Sequence, residues 1–406
     1  MEMTMLNAAT ARPGVSSTSL VDQHPAKSAV SARQDAYIRD HDFDEPTVIF
    51  DLDMLRAKYD ALAVGLGDAT IHYAVKANPA PEIVSALLGR GSRFDCASRG
   101  EIELCLGQGV PPSKIAFGNT IKRATDIAFA HSVGVEQFAV DAESELRKIA
   151  ANAPGARVIV RMLVDASEAD WPLSRKFGCS PREALRLMDL GRYLGLDVAG
   201  ISFHPGSQMR EPSMWASALD GALALWAEAI EHGHELHILN IGGGFPAFYG
   251  LPLPATEDYA SEVMHMVRSR FGEDVHVMAE PGRGLVAEAG VIVAEVLLVA
   301  KKDQDDLQRW VFLDIGKFSG LAETMDEAIR YQFETRHGDD CETGPCVLAG
   351  PSCDSADVLY EKRPVQLPSD LTDGDKVRIL CTGAYTTSYS SVGFNGFPPL
   401  CSVFIG

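Results

Sequence analysis

A chain of 406 residues, 46% of them hydrophobic and 23% charged, is long enough for two domains, one of which could be a barrel of about 250 residues. The formal net charge of −20 and the lack of a basic block argue against nucleic-acid binding, and no apolar run approaches the ~18 residues that a membrane span requires. Eight cysteines at irregular positions match neither a zinc spacing nor a disulfide framework, which points to a reducing cytoplasm.

Residues 1–34 are rich in Ala, Ser and Thr, lack the apolar core of a secretory signal, and read as a disordered N-terminal arm. Residues 35–51, ending in "TVIFD", read as one or more strands that join a second domain. Between 52 and 290, short β-branched runs alternate with longer stretches of helical period. The predicted strands are "IHYAV", "RFDCA", "KIAFG", "QFAVD", "RVIVRM", "DVAGISF", "HILNIGG" and "VHVMAEPG". Strand after helix after strand at this regularity implies parallel pairing with right-handed crossovers, and about eight such units make a (β/α)8 barrel of the TIM type. Residues 291–406 change texture to strands separated by turns, with one helix-like piece, "LAETMDEAIRYQ". That predicts a second, mostly antiparallel β-domain.

Functional groups of such a barrel gather at the carboxyl ends of its strands. Those positions hold Lys76, Asp95, Arg161, His204 with Ser207, the glycines 242 to 244, and Glu280 with Gly282 and Arg283. A lysine at the end of a buried strand must find an anion, lose its proton or become covalently attached. The "IGGGFP" run lets backbone N–H groups approach an anion closely, although a glycine run alone is more often only a tight turn. With "EPGR" and the Ser207 hydroxyl it reads as a phosphate site. If that phosphate belongs to pyridoxal phosphate (PLP), the other groups find roles: Lys76 holds the aldehyde, Glu280 faces the pyridine nitrogen and His204 stacks on the ring.

"YAVKANP", "FDCAS", "SFHPGSQ", "GGGFP", "EPGR", "CDSAD" and "GAYTTSYSSVGFNGF" together resemble the signature set of the barrel-type, alanine-racemase-like PLP decarboxylases acting on basic amino acids, the ornithine and lysine decarboxylases. The resemblance runs from about residue 45 to the C-terminus. It implies a homodimer with two active sites built at the interface. Lys76 matches the Schiff-base lysine, and Ser207, Gly242, Gly243, Gly244, Gly282, Arg283 and Tyr385 match the phosphate site. Asp95, Glu101 and Arg161 match the polar shell around the lysine and the ring. Cys353 and Asp354 match the pair that the partner subunit contributes, one to protonate the α-carbon and one to bind the distal ammonium. Phe397 matches a substrate contact, and Lys176 is expected to pair with Asp357 across the interface. Pro205 departs from the family, which usually has a β-branched residue after the histidine.

The acid that reads the far end of the substrate stays open among Glu323, Asp326 and Glu327, which a helical turn would bring to one face. The resemblance implies conversion of L-ornithine to putrescine, with L-lysine to cadaverine as a secondary activity. A lysine-preferring enzyme, a diaminopimelate decarboxylase, an alanine racemase and a non-catalytic regulatory homologue are the rivals. "HGHELH" invites a metal reading, but His232, His234 and His237 lie where a helix end meets a strand and cannot converge, so no metal is expected.

Overall fold

The computed structural model describes residues 28–164, 176–336 and 341–406. Positions 1–27 of the expected arm lie outside the described residues. The remainder of that arm is built into the fold: Ser31 caps helix α1 (Ala32–Asp40), and Gln34 is fully buried. The Gln34 amide donates to the carbonyls of Ile49 and Ala289, joining α1 to both domains. The expectation of strand over 35–51 is therefore corrected. Its first part is α1, and only β1 (Thr47–Asp51) is strand.

Eight parallel strands close the barrel: β2 (Thr70–Ala74), β3 (Arg93–Cys96), β4 (Ile115–Phe117), β5 (Gln137–Val140), β6 (Arg157–Arg161), β7 (Asp197–Ser202), β8 (Ile238–Asn240) and β9 (His276–Ala279). Closure is made by β2 against β9, with Ile71 opposite Ala279. The connecting helices start where the sequence supplies caps. The Asp51 carboxylate accepts from the amides of Asp53 and Met54 ahead of α2 (Leu52–Leu66), and Ser98 accepts from the Glu101 amide ahead of α4 (Arg99–Gly107), α3 being Pro81–Leu88. Each such cap contributes about 1 kcal/mol. Inside the barrel, Ile159, Ala199, Ile238 and Met278 pack as a small cluster of their own, so the strands enclose a filled core rather than a pore.

The second domain is a nine-stranded sheet made of β1, β10 (Gly290–Ala300), β11 (Arg309–Leu313), β12 (Gln332–Thr335), β13 (Thr343–Ala349), β14 (Val358–Leu359), β15 (Val365–Pro368), β16 (Lys376–Leu380) and β17 (Cys401–Ile405). Its pairings are antiparallel except for β1 with β17 and β11 with β13. The β-domain meets the carboxyl-end mouth of the barrel where the Tyr385 amide donates to Ala77 O and the Asn78 side-chain amide donates to Gly383 O. One expectation fails locally. "LAETMDEAIRYQ" is not an α-helix but short 3-10 turns over Ala322–Glu327, broken where Asp326 and Glu327 take φ of 53° and 57°.

Candidate active site

Lys76 follows β2 in a tight turn, Val75–Ala77, that lifts its side chain into the barrel mouth. Its Nζ lies 3.6 Å from Oδ2 of the buried Asp95 at the end of β3, and 47% of the lysine side chain stays open to solvent. Burial works against charge on the amine, but the carboxylates of Asp95 and Glu280, with Tyr385, outweigh it and hold the group protonated well above the ordinary lysine range. The other Asp95 oxygen, Oδ1, is buried without a hydrogen-bond partner. Glu101 accepts from the Ala97 amide at 2.6 Å, and burial pushes its carboxyl up to about 7. Arg161 ends β6, with its guanidinium 5.2 Å from the Phe177 ring centre.

Glu280 directly follows β9 and is likewise pushed up by burial, with the Asp95 charge adding to the effect. Asn240, at the end of β8, donates Nδ2–H to Glu280 Oε1 at 2.5 Å, and its Oδ1 accepts from the Gly242 amide at 2.9 Å. His204, just past β7, accepts at Nδ1 from the Gly206 N–H at 3.1 Å. Burial, reinforced by Arg161 and Lys76, lowers its pKa to about 3, so the imidazole is neutral with its proton on Nε2. Pro205 has no N–H of its own, and the Gly206 amide fixes the ring instead.

The glycines form a cradle beside this group. A Cβ on Gly243 would lie 2.8 Å from the Glu280 carbonyl and 3.2 Å from His204 Nε2, and one on Gly282 would lie 2.9 Å from Ala77 Cβ. Arg283 is fully enclosed here. It donates Nε–H to Ser207 Oγ at 3.2 Å, Nη1–H to the Tyr249 hydroxyl at 3.1 Å, and forms a two-pronged ion pair with Glu323 at 2.6 Å on each side. The Tyr385 ring stands 5.0 Å from the guanidinium, and the Tyr385 amide donates to Ala77 O at 2.8 Å, next to Lys76. A glycine-lined cradle, a cationic lysine facing the buried Asp95 carboxylate and a flat neutral imidazole together fit a phosphorylated, ring-bearing aldehyde.

The expected acids at 323 to 327 do not share a face. Glu323 is engaged with Arg283, and Glu327 accepts from the amides of Lys362 and Arg363 while pairing with Arg330 and Arg363. Asp326 is exposed and, among the described residues, makes no hydrogen bond or ion pair; it lines a cavity of about 1180 Å³ with Met325, Tyr249 and Tyr331. Cys353 and Asp354 sit apart, on an exposed loop of the β-domain. The Cys353 amide donates to Asn395 Oδ1 at 3.0 Å, in the same turn that leads to the half-buried Phe397. None of these forms a hydrogen bond or ion pair with the barrel-mouth group among the described residues. Lys176 is exposed beside Phe177. Asp357, expected to reach across an interface, is buried and serves its own chain, accepting from the Lys317 amide and the Ser352 hydroxyl at 2.7 Å each. His234 lies 3.2 Å from Asp189 and His237 turns toward Glu235 O, so the histidines of "HGHELH" point to separate partners.

Sequence reasoning missed Asn240, Tyr249 and Asn395. Only Asn240 left a signal: a polar residue at the carboxyl end of an otherwise apolar strand, two positions before the glycine run.

Residues 52–287 match the family model described as the pyridoxal-binding domain of pyridoxal-dependent decarboxylases. The lysine/ornithine decarboxylase of Selenomonas ruminantium is 36% identical over 352 residues, covering 87% of each chain. A lysine decarboxylase variant of the same organism, solved with PLP, superposes with a TM-score of 0.84 at 34% identity over 94% of this chain and 97% of that one. The lysine/ornithine decarboxylase of Vibrio vulnificus, solved with cadaverine, has a TM-score of 0.82 at 34% identity, covering 93% of this chain and 100% of the other. With its barrel, its antiparallel sheet and its lysine-centred mouth, the chain belongs to the PLP-dependent decarboxylases of basic amino acids, of the ornithine/lysine type.

Proposed function

We propose that the chain decarboxylates L-ornithine to putrescine, accepts L-lysine as a secondary substrate, and works as a homodimer with active sites shared between subunits. The observation that carries the substrate reading is Asp326: of the three acids in its segment it alone is free to receive a distal ammonium. Two relatives with these substrates in their names support the same reading. One methylene separates ornithine from lysine, a difference a pocket resolves by about 10–200-fold.

PLP, when bound, supplies the electron sink for the pair left behind as the carboxylate departs. Lys76 holds the aldehyde end, with Asp95, Glu101 and Arg161 setting its charge environment. Glu280, oriented by Asn240, keeps a proton on the ring nitrogen, and the neutral His204 covers one ring face. Ser207, the glycines 242 to 244, Gly282, Arg283 and Tyr385 hold the phosphate. The C–C bond to the carboxyl group breaks, CO2 leaves, and the thiol of Cys353 delivers its proton to the α-carbon. Asp354 and Phe397 of the same loop, with Asp326, receive the side chain. The separation of the Cys353 loop from the Lys76 group within one chain supports its delivery by a partner subunit, where Lys176 would also contribute. Cys96, Cys105, Cys179, Cys346, Cys353, Cys381 and Cys401 are free thiols, which favours the cytoplasm.

The test is kcat/KM for ornithine, lysine, arginine and diaminopimelate. Ornithine should rank first and lysine second. Arginine or diaminopimelate ranking above both would overturn the substrate reading, and no turnover of any would favour the regulatory homologue.

A further inference from the structure

Arg283 has the position of a phosphate-binding cation, but its charge is already answered. A guanidinium carries five N–H donors. Nε–H goes to Ser207, both Nη1–H to Tyr249 and Glu323, and one Nη2–H to Glu323, which leaves a single N–H for an incoming phosphate. The Arg283 and Glu323 side chains are 5% and 4% exposed, so the pair sits in a low-dielectric setting where a lone charge is costly. Glu323 reaches the cradle from the β-domain, whereas every other cradle group except Tyr385 belongs to the barrel.

We infer that Glu323 is a positioning residue of the cofactor site: it clamps the Arg283 guanidinium, keeps its edge turned toward Ser207, and competes with the cofactor's phosphate for the guanidinium N–H groups. The phosphate consequently meets a neutral ion pair, backbone N–H groups and hydroxyls rather than a free cation. Glu323 both keeps the empty cradle folded and limits how tightly phosphate is held. The distal-amine role belongs to Asp326 instead. The inference rests on the cofactor's phosphate occupying this cradle.

The experiment compares the full-length apoenzyme of wild type, Glu323→Gln and Glu323→Asp. Melting temperature is followed against inorganic phosphate, and reconstitution is followed with PLP and with unphosphorylated pyridoxal through the visible band of the lysine-bound aldehyde. In Glu323→Gln the apoenzyme should melt lower, because a buried guanidinium loses its carboxylate. Its half-saturating phosphate concentration should fall by about tenfold or more, the factor carried by one charge-assisted hydrogen bond. Pyridoxal reconstitution should change by less than about twofold, since pyridoxal has no phosphate to engage the freed N–H groups. A purely structural role would lower the melting temperature and leave the phosphate response as in wild type, which overturns the inference. If Glu323→Gln does not fold, Glu323→Asp must shift half-saturation in the same direction, and no shift overturns it. Failure of wild type to form the visible band would instead sink the cofactor reading.

Discussion

Asn240 joins Glu280 to the glycine cradle: one side-chain amide donates to the Glu280 carboxylate at 2.5 Å and accepts from the Gly242 backbone at 2.9 Å. The carboxylate that the proposed function sets against the ring and the glycines it sets against the phosphate are thus held in one frame. The bond to Glu280 also favours its ionised form, against burial and the Asp95 charge.

Asn240→Ala should therefore raise the Glu280 pKa further and let its carboxylate drift. The acid limb of the kcat/KM profile should move to higher pH, and activity at neutral pH should fall by about 10–100-fold, the usual cost of losing an orienting partner. A variant with reduced activity but an unmoved acid limb would show that Asn240 acts on geometry alone.

Glu101 gives the apoenzyme an unusual pH dependence. Its carboxyl is raised from 4.5 to about 7, with burial as the main cause. The folded state therefore binds the proton more tightly than the unfolded chain. Its contribution to stability is complete below about 4.5 and is lost as the pH rises through about 7, opposite in sign to a salt-bridged carboxylate. Melting the apoenzyme across this range, alongside Glu101→Gln, should show the wild type losing ground to the variant as the pH rises. Parallel melting curves would contradict the assigned shift.

Two inactive chains should complement each other if the active site is shared. Mixing Lys76→Ala with Cys353→Ala and allowing subunits to exchange at random should restore about a quarter of wild-type activity, because half the dimers are hybrid and each hybrid has one intact site. Verified exchange with no recovered turnover would place both residues in the same chain's site.

The barrel and the lysine-centred mouth were legible because both follow from short-range rules. Alternation of β-branched runs with helical periods marks each βα unit, and function gathers where strands end. What escaped depends on contacts distant in sequence. The positive φ values at Asp326 and Glu327 suit glycine or asparagine and have no local signature. They are fixed by the grip of Glu327 on the amides of residues 362 and 363. Gln34 reads as part of a polar arm until its two carbonyl partners, at 49 and 289, are seen together. The burial of Asp357 against Gly316 and Gly350 likewise has no local signature, being a tertiary fact.

In the proposed function the broken turn at 325 to 327 separates substrate reading from scaffolding, and two substitutions test this. Asp326 is free and exposed, so Asp326→Ala should lower stability only modestly, by about 1 kcal/mol, the cost of alanine at its positive φ of 53°. It should raise KM for ornithine and lysine by about tenfold or more through loss of a charge partner, with a smaller effect on kcat. Glu327 is buried and holds Arg330, Arg363 and two backbone amides. Its replacement by Ala removes a carboxylate from a partly buried network and should destabilise the fold by about 2–4 kcal/mol, loosening the 361–363 loop and displacing Asp326 indirectly. Kinetics and thermal melting on the same preparations decide the matter. A large loss of stability in Asp326→Ala, or an unchanged KM, would assign the distal ammonium to another group, with Asp354 next in line.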